Sequence, residues 1–346
     1  MKPLHVLVVD DSAVVRQAMT ALLEDEMRVS TAADPFIAMK KMEAARPDVI
    51  VLDLEMPRMD GLTFLRKLMD ESPIPVVVCS SLTASSSELT MRALQLGAVD
   101  VVEKPKVRAG ESPSDSAIAL IETIRGAALA RVRRVGRAPA ARPLTPAAPI
   151  ANRLPNCHVI VIGASTGGTE VLRQFLDAMP ADAPPIVIVQ HMPERFTSAF
   201  ARRLNESSAM DVREAAPGDL LRPGLALIAP GDRHITLLRQ GAGTLAVALQ
   251  NTALVNRHRP SVDVLFSSAA RMLGNCAIGV LMTGMGRDGA KGLREMRTAG
   301  AHTMVQDEAT SVVFGMPKAA IELDAAMYVL PGHALAPSVL EACTGR

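Results

Sequence analysis

The sequence predicts an α/β protein made of two doubly wound parallel-sheet domains. Two observations carry this. Short apolar runs alternate with amphipathic helical patterns, an order that places helices on both faces of a parallel sheet. The alternation occurs twice, on either side of residues 135–155, a stretch rich in Ala, Pro, Arg and Gly with prolines at 139, 143, 146, 149 and 155. That stretch reads as a flexible, partly extended linker. The domains are therefore drawn as 1–134 and 156–346.

In the first series Leu4–Val9 is a strand run and Ala13–Leu23 a helical pattern. A short run at Arg28–Thr31 precedes a helix near Pro35–Ala45. Val49–Leu54 is a second fully apolar strand, and Leu62–Met69 is helical. Pro75–Cys79, a helix over Glu88–Leu96, and Val99–Glu103 complete the sheet. A last helix, about Asp115–Arg134, carries Ile118, Ile121 and Ile124 on one side and ends in a basic run. The second series places strands at 159–163, 186–190, 225–229, 277–282 and 302–306, with helices between. Ile235–Leu238 and Leu245–Leu249, either side of a glycine-rich turn, form an inserted antiparallel hairpin.

Composition narrows the function. The chain has 346 residues, 49% hydrophobic and 21% charged, so it is globular with room for two cores. A net charge of +1, with Lys and Arg spread along the chain, gives no footprint for nucleic acid or a membrane surface. With no Trp and one Tyr there is no aromatic platform for single strands. The first residues run directly into a strand without a signal-peptide layout, and no apolar run is long enough to span a bilayer. The four cysteines are scattered, without C-x-x-C. They read as reduced thiols of a cytoplasmic protein, and no zinc site is assigned.

The most informative segment is Cys157–Gly168. An apolar run breaks at Gly163 into Gly163-Ala164-Ser165-Thr166-Gly167, which fits G-x-S-x-G, and an amphipathic helix follows. A strand, a sharp glycine-flanked turn and a helix form a nucleophile elbow. Free N–H groups at the helix N-terminus there favour negative charge. The same turn also suits a Ser165 or Thr166 that only caps the helix, and the segment alone does not separate the two. A phosphate-binding loop fits less well, because the spacing is not G-x-G-x-x-G and no Lys follows.

A nucleophilic serine needs a base and a group to orient it. His191 ends the strand at 186–190, and Asp288 lies in T-G-M-G-R-D-G (283–289), after another strand. Asp288 also suits a helix cap. In the first domain Asp10 and Asp11 follow one strand and Asp53 another, and such strand ends converge on one crevice. Three carboxylates together call for a cation, and oxygen ligands suit Mg²⁺. Taken alone, an Asp-Asp pair before Ser12 reads more readily as a helix cap.

The first-domain motifs V-V-D-D-S (8–12), D-L-E-M-P-R-M-D-G (53–61), V-V-V-C-S-S (76–81) and E-K-P (103–105) resemble the receiver domain of two-component response regulators. The resemblance implies a flavodoxin-like fold. It makes Asp53 the phospho-acceptor, with Asp10, Asp11 and Asp53 holding Mg²⁺ helped by the Glu55 carbonyl. Ser80 then bonds a phosphoryl oxygen, and Lys104 pairs with the acyl phosphate. Lys104–Pro105 is a candidate cis bond. Val101 departs from the pattern, since many receivers carry an aromatic there.

In the second domain G-A-S-T-G-G (163–168), Q-H-M-P (190–193), A-P-G-D-R-H (229–234), R-H-R-P-S-V-D (257–263), T-G-M-G-R-D-G (283–289) and D-E-A-T-S-V-V-F-G-M-P-K-A-A (307–320) occur in order. Together they resemble the chemotaxis protein-glutamate methylesterases, which also deamidate receptor glutamines. The resemblance implies a Rossmann-like catalytic domain with the triad Ser165, His191 and Asp288. It places Thr166 and the Met285 N–H at the oxyanion, and needs no cofactor for ester hydrolysis. It implies methyl-accepting chemoreceptors as substrate and a histidine kinase as phosphodonor. It also implies a receiver that covers the esterase crevice until Asp53 is phosphorylated. The order Ser, His, Asp disfavours lipase kinship. Two other readings stay open on the residues alone: a phosphorylation-controlled anion-binding protein, and a glutamine deamidase with little esterase action.

Overall fold

The structure, a computed structural model, describes residues 3–81, 84–105, 115–132, 159–241 and 244–344. The linker assigned to 135–155 lies outside the described residues. The chain divides into two compact units, Met1–Ala140 and Ala141–Arg346.

The first unit runs β1 (His5–Val9), α1 (Ala13–Leu23), β2 (Arg28–Ala32), α2 (Pro35–Ala44), β3 (Val49–Leu52), α3 (Gly61–Glu71), β4 (Val76–Ser80), α4 (Ala84–Gln95), β5 (Asp100–Glu103) and α5 (Asp115–Ala128). The sheet order is β2-β1-β3-β4-β5, all parallel, the doubly wound arrangement. β1, β3 and β4 are buried along their whole length, which is why they read as continuous apolar runs. Ser12, Asp34 and Asp60 each accept an N–H from the first turn of the following helix, so all three starts are capped by side chains. The cap assigned to the Asp10-Asp11 pair thus falls to Ser12.

Two helix bounds differ from the sequence reading by four residues or more. α4 starts four residues before Glu88, within a serine run whose propensity hides the start. α5 stops at Ala128 instead of Arg134, because Leu129 and Ala130 donate to the Gly126 and Ala127 carbonyls in tight terminal turns.

The second unit runs β6 (Val159–Ala164), α6 (Gly168–Asp177), β7 (Ile186–Gln190), α7 (Glu194–Ser207), β8 (Asp211–Glu214), β9 (Leu225–Ile228), β10 (His234–Gln240), β11 (Thr244–Gln250), α8 (Val262–Leu273), β12 (Ala277–Leu281), α9 (Ala290–Thr298), β13 (His302–Gln306), α10 (Met316–Glu322), β14 (Tyr328–Leu330) and α11 (Gly332–Thr344). Its main sheet is parallel, in the order β14-β13-β12-β6-β7-β9-β8. β10 and β11 pair separately as the antiparallel hairpin. The strands β8 and β14, absent from the sequence reading, are the two edges. The chain winds outward from β6 in both directions, so the β6/β12 border is the switch point of the sheet, where ligands bind in this architecture.

The only cis peptide bond among the described residues is Arg259–Pro260, so the bond at Lys104–Pro105 is trans, against the sequence expectation.

Candidate active site

The elbow at the end of β6 is built by backbone constraints. Ser165 N–H donates to the Thr283 carbonyl at 3.0 Å, and Gly168 N–H donates back to the Ser165 carbonyl at 2.7 Å. Gly167 is the N-cap of α6 with φ 76° and provides no side-chain cap. A Cβ there would stand 2.4 Å from Val312 Cβ, so glycine is required both by dihedral and by space. The capping reading of Ser165 and Thr166 therefore fails on geometry. Ser165 Oγ instead lies 3.1 Å from His191 Nδ1.

His191 leaves the end of β7 next door, its N–H donating to the Ala164 carbonyl. Its Nε2 lies 2.9 Å from Asp288 Oδ2. Since Asp288 can only accept, Nε2 carries the proton and Nδ1 is left to accept from Ser165. His191 thus engages the serine through Nδ1 and the carboxylate through Nε2.

Asp288 is 1% exposed. It does not cap its own helix, because the N-cap of α9 is Gly289, with no side-chain cap. Its carboxylate lies instead on the N-terminus of α8. Val262 N–H donates to Oδ2 at 2.7 Å, while Ser261 Oγ and Asn256 Nδ2 each donate to Oδ1 at 2.7 Å. Burial would raise its pKa, but the His191 contact and these donors outweigh burial and hold it well below the usual carboxylate range. The α8 dipole adds in the same direction.

The 283–289 loop reaches over the serine. Thr283 N–H donates to Gln306 Oε1, and Thr283 Oγ1 donates to the Thr166 carbonyl while accepting from Val313 N–H. These bonds tie the elbow, the end of β12 and the segment before α10 into one frame. The N–H groups of Thr166 and Met285 donate to no other group among the described residues.

The structure thus brings Ser165, His191 and Asp288 into contact, and adds Asn256, His258 and Ser261, which were not among the expected site residues. All three lie in or next to the motif R-H-R-P-S-V-D (257–263), whose spacing alone assigns them no role.

In the first unit Asp10, Asp11 and Asp53 offer carboxylate atoms all within 4.8 Å of one another. Lys104 Nζ lies 2.7 Å from Asp53 Oδ2 and 2.9 Å from Asp10 Oδ2. Burial raises the Asp53 pKa, with the Asp10 charge adding and the Lys104 contact opposing. Burial alone would lower the Lys104 pKa, but its two carboxylates raise it. Three hard oxygen donors carrying more negative charge than one lysine offsets suit Mg²⁺. Ser80 is buried at the end of β4, where its hydroxyl donates to the Ser81 carbonyl. Glu55 contributes its N–H to Asp53 Oδ1. Val101 is buried in β5.

The comparisons fit this geometry. Residues 160–339 match the family described as CheB methylesterase, and residues 6–109 match the response regulator receiver domain. Protein-glutamate methylesterase/protein-glutamine glutaminase 1 of Anaeromyxobacter dehalogenans is 54% identical over 344 residues, covering 97% of this chain and 98% of the relative. The chain belongs to the CheB methylesterase family. A second member, numbered 3 in Geobacter metallireducens, is 50% identical over 99% of this chain and all of its own length. The crystal structure of the Thermotoga maritima CheB methylesterase catalytic domain is 40% identical, with a TM-score of 0.52, and covers 54% of this chain and 98% of that one. A CheB family chain with a receiver is a response-regulator hydrolase, in line with the fold class and family read from the motifs. No helix among the described residues is long and apolar enough to cross a membrane.

Proposed function

We propose that this chain is a cytoplasmic, phosphorylation-activated protein-glutamate methylesterase and protein-glutamine glutaminase acting on chemoreceptors. The single observation that carries the reading is the unbroken contact from Ser165 Oγ through His191 to Asp288, at 3.1 and 2.9 Å.

Ser165 attacks the γ-carbonyl of a methylated glutamate side chain. His191 Nδ1 takes the serine proton, and Asp288 holds the ring and stabilises the imidazolium. The carbonyl oxygen, now negative, is met by the Thr166 and Met285 N–H groups. His191 then returns its proton to the departing methoxide, releasing methanol and leaving an acyl-enzyme. Water, deprotonated by His191, cleaves that ester to glutamate and restores Ser165. A glutamine follows the same course, with ammonia as leaving group. The residues needed for each step belong to this chain.

In the receiver unit Asp53 is the phosphoryl acceptor from a histidine kinase. Asp10, Asp11 and Asp53 would hold Mg²⁺, which neutralises charge during phosphoryl transfer when bound. Lys104 pairs with the added phosphoryl charge, and Ser80 donates to it. Phosphorylation raises the esterase rate of the linked unit.

Methanol release from methylated receptor membranes tests the reading. Turnover should rise with a small-molecule phosphodonor in the wild type but not in Asp53→Asn. Equal rates with and without phosphodonor would contradict the regulatory half.

A further inference from the structure

The residues 255–258 form a two-residue hairpin turn whose ends, Val255 and His258, exchange backbone hydrogen bonds. Both central residues are left-handed, Asn256 at φ 51° and Arg257 at φ 66°. That is the dihedral signature of a type I′ turn, and a left-handed arginine is uncommon. The turn delivers two groups to the catalytic side chains. Asn256 places its amide on Asp288 Oδ1. His258 lays its ring on the His191 ring, with centroids 3.7 Å apart and planes 14° apart.

We infer that His258 is a positioning residue for the esterase reaction: its stacked ring fixes the plane of His191 and faces the imidazolium that forms there. The inference rests on the reading of Ser165, His191 and Asp288 as a triad. His191 must keep Nδ1 on the serine while Nε2 stays on Asp288. A rotation of its ring loses one contact or both. A flat partner at van der Waals distance resists that rotation, and small misplacements at a reacting centre carry large rate costs. A neutral aromatic face also attracts a cation, whereas a charged ring repels it. Burial and the adjacent His191 hold the His258 pKa down to about 3. Arg257 acts the same way and Asp288 against it, so His258 is neutral through the physiological range. The His191 ring therefore gains its proton against an uncharged neighbour. The turn is closed by backbone atoms, so replacing the imidazole leaves its hydrogen bonds intact.

The test uses the full-length protein on methylated receptor membranes at fixed phosphodonor. His258→Ala should lower kcat roughly tenfold with KM within about twofold. His258→Phe, which keeps a flat ring, should recover most of that loss. His258→Lys puts a cation beside His191 and should move the acid limb of the kcat/KM profile down by about one pH unit. Wild-type kcat in His258→Ala, or an unmoved acid limb in His258→Lys, overturns the inference. If His258→Ala melts early, the Phe and Lys variants decide it, since both fill the space. Ser165→Ala run in parallel separates the two claims. Retained turnover there sinks the triad itself, whereas loss there with a silent His258→Ala sinks only the role of His258.

Discussion

Ser261 Oγ donates to Asp288 Oδ1 at 2.7 Å across the N-terminus of α8. The Asp288 carboxylate is thus anchored by a helix it does not belong to, and the link is a serine whose side chain caps nothing. Removing that donor leaves Oδ1 with Asn256 and a longer backbone contact from Asp263. Ser261→Ala should lower kcat by roughly tenfold at near-constant KM, by loosening the group that orients His191. Steady-state kinetics of methanol release check this, and an unchanged kcat would show that the anchor is redundant.

Asp288 also makes a pH prediction. Its pKa lies below the usual range, so its ionised form stabilises the fold above the unfolded value of about 4, and this contribution is lost as pH falls through the folded value. Wild type should therefore melt above Asp288→Asn at pH 7, and the gap should shrink in acid below about pH 4. Thermal melts at the two pH values measure it. A gap that widens in acid would contradict the stated sign.

Asp53 gives the opposite sign. Asp53 is raised mainly by burial, so the stabilising effect of its protonated form is present below the ordinary value and lost as pH rises through the folded one. At neutral pH without divalent cation, the charge at this position costs stability. Asp53→Asn should raise the first unfolding transition by a few degrees, on the order of 2–5 °C. Adding Mg²⁺ should stabilise the wild type more than the variant. Calorimetry in chelator and in Mg²⁺ decides both points, and a lower transition for Asp53→Asn would mean that its pairing with Lys104 outweighs burial.

Gly284 packs directly against Ser165. A Cβ built there would stand 2.7 Å from Ser165 Cβ and 2.2 Å from Met316 Sδ. Gly284→Ala should displace the serine or the methionine, costing on the order of 10²-fold in kcat together with lower melting. Kinetics near wild type would show that the elbow yields without loss.

The sequence was legible where burial imposed a pattern. β6, β7 and β12 are wholly buried, so their apolar runs stood out, and Ser165 and His191 follow directly from strand ends. β8 and β14 were illegible because they are short edge strands. Asp211–Glu214 buries one residue and shows no apolar run, and β14 is only three residues long with Tyr328 and Val329 facing solvent. The support around Asp288 was hidden for a different reason. Asn256, His258 and Ser261 lie in a loop with no periodicity, and their roles depend on α8 arriving beside the 283–289 loop. No local spacing encodes that meeting. The capping alternative for Asp288 was a fair local reading that the tertiary structure replaced, since the carboxylate does lie on a helix N-terminus, but on α8.

The most direct test of the account is turnover of methylated receptor membranes by Ser165→Ala beside wild type, with far-ultraviolet circular dichroism to confirm folding. The account predicts a fall in kcat on the order of 10⁴-fold or more, with the spectrum unchanged. Methanol release by folded Ser165→Ala within tenfold of the wild-type rate would contradict it.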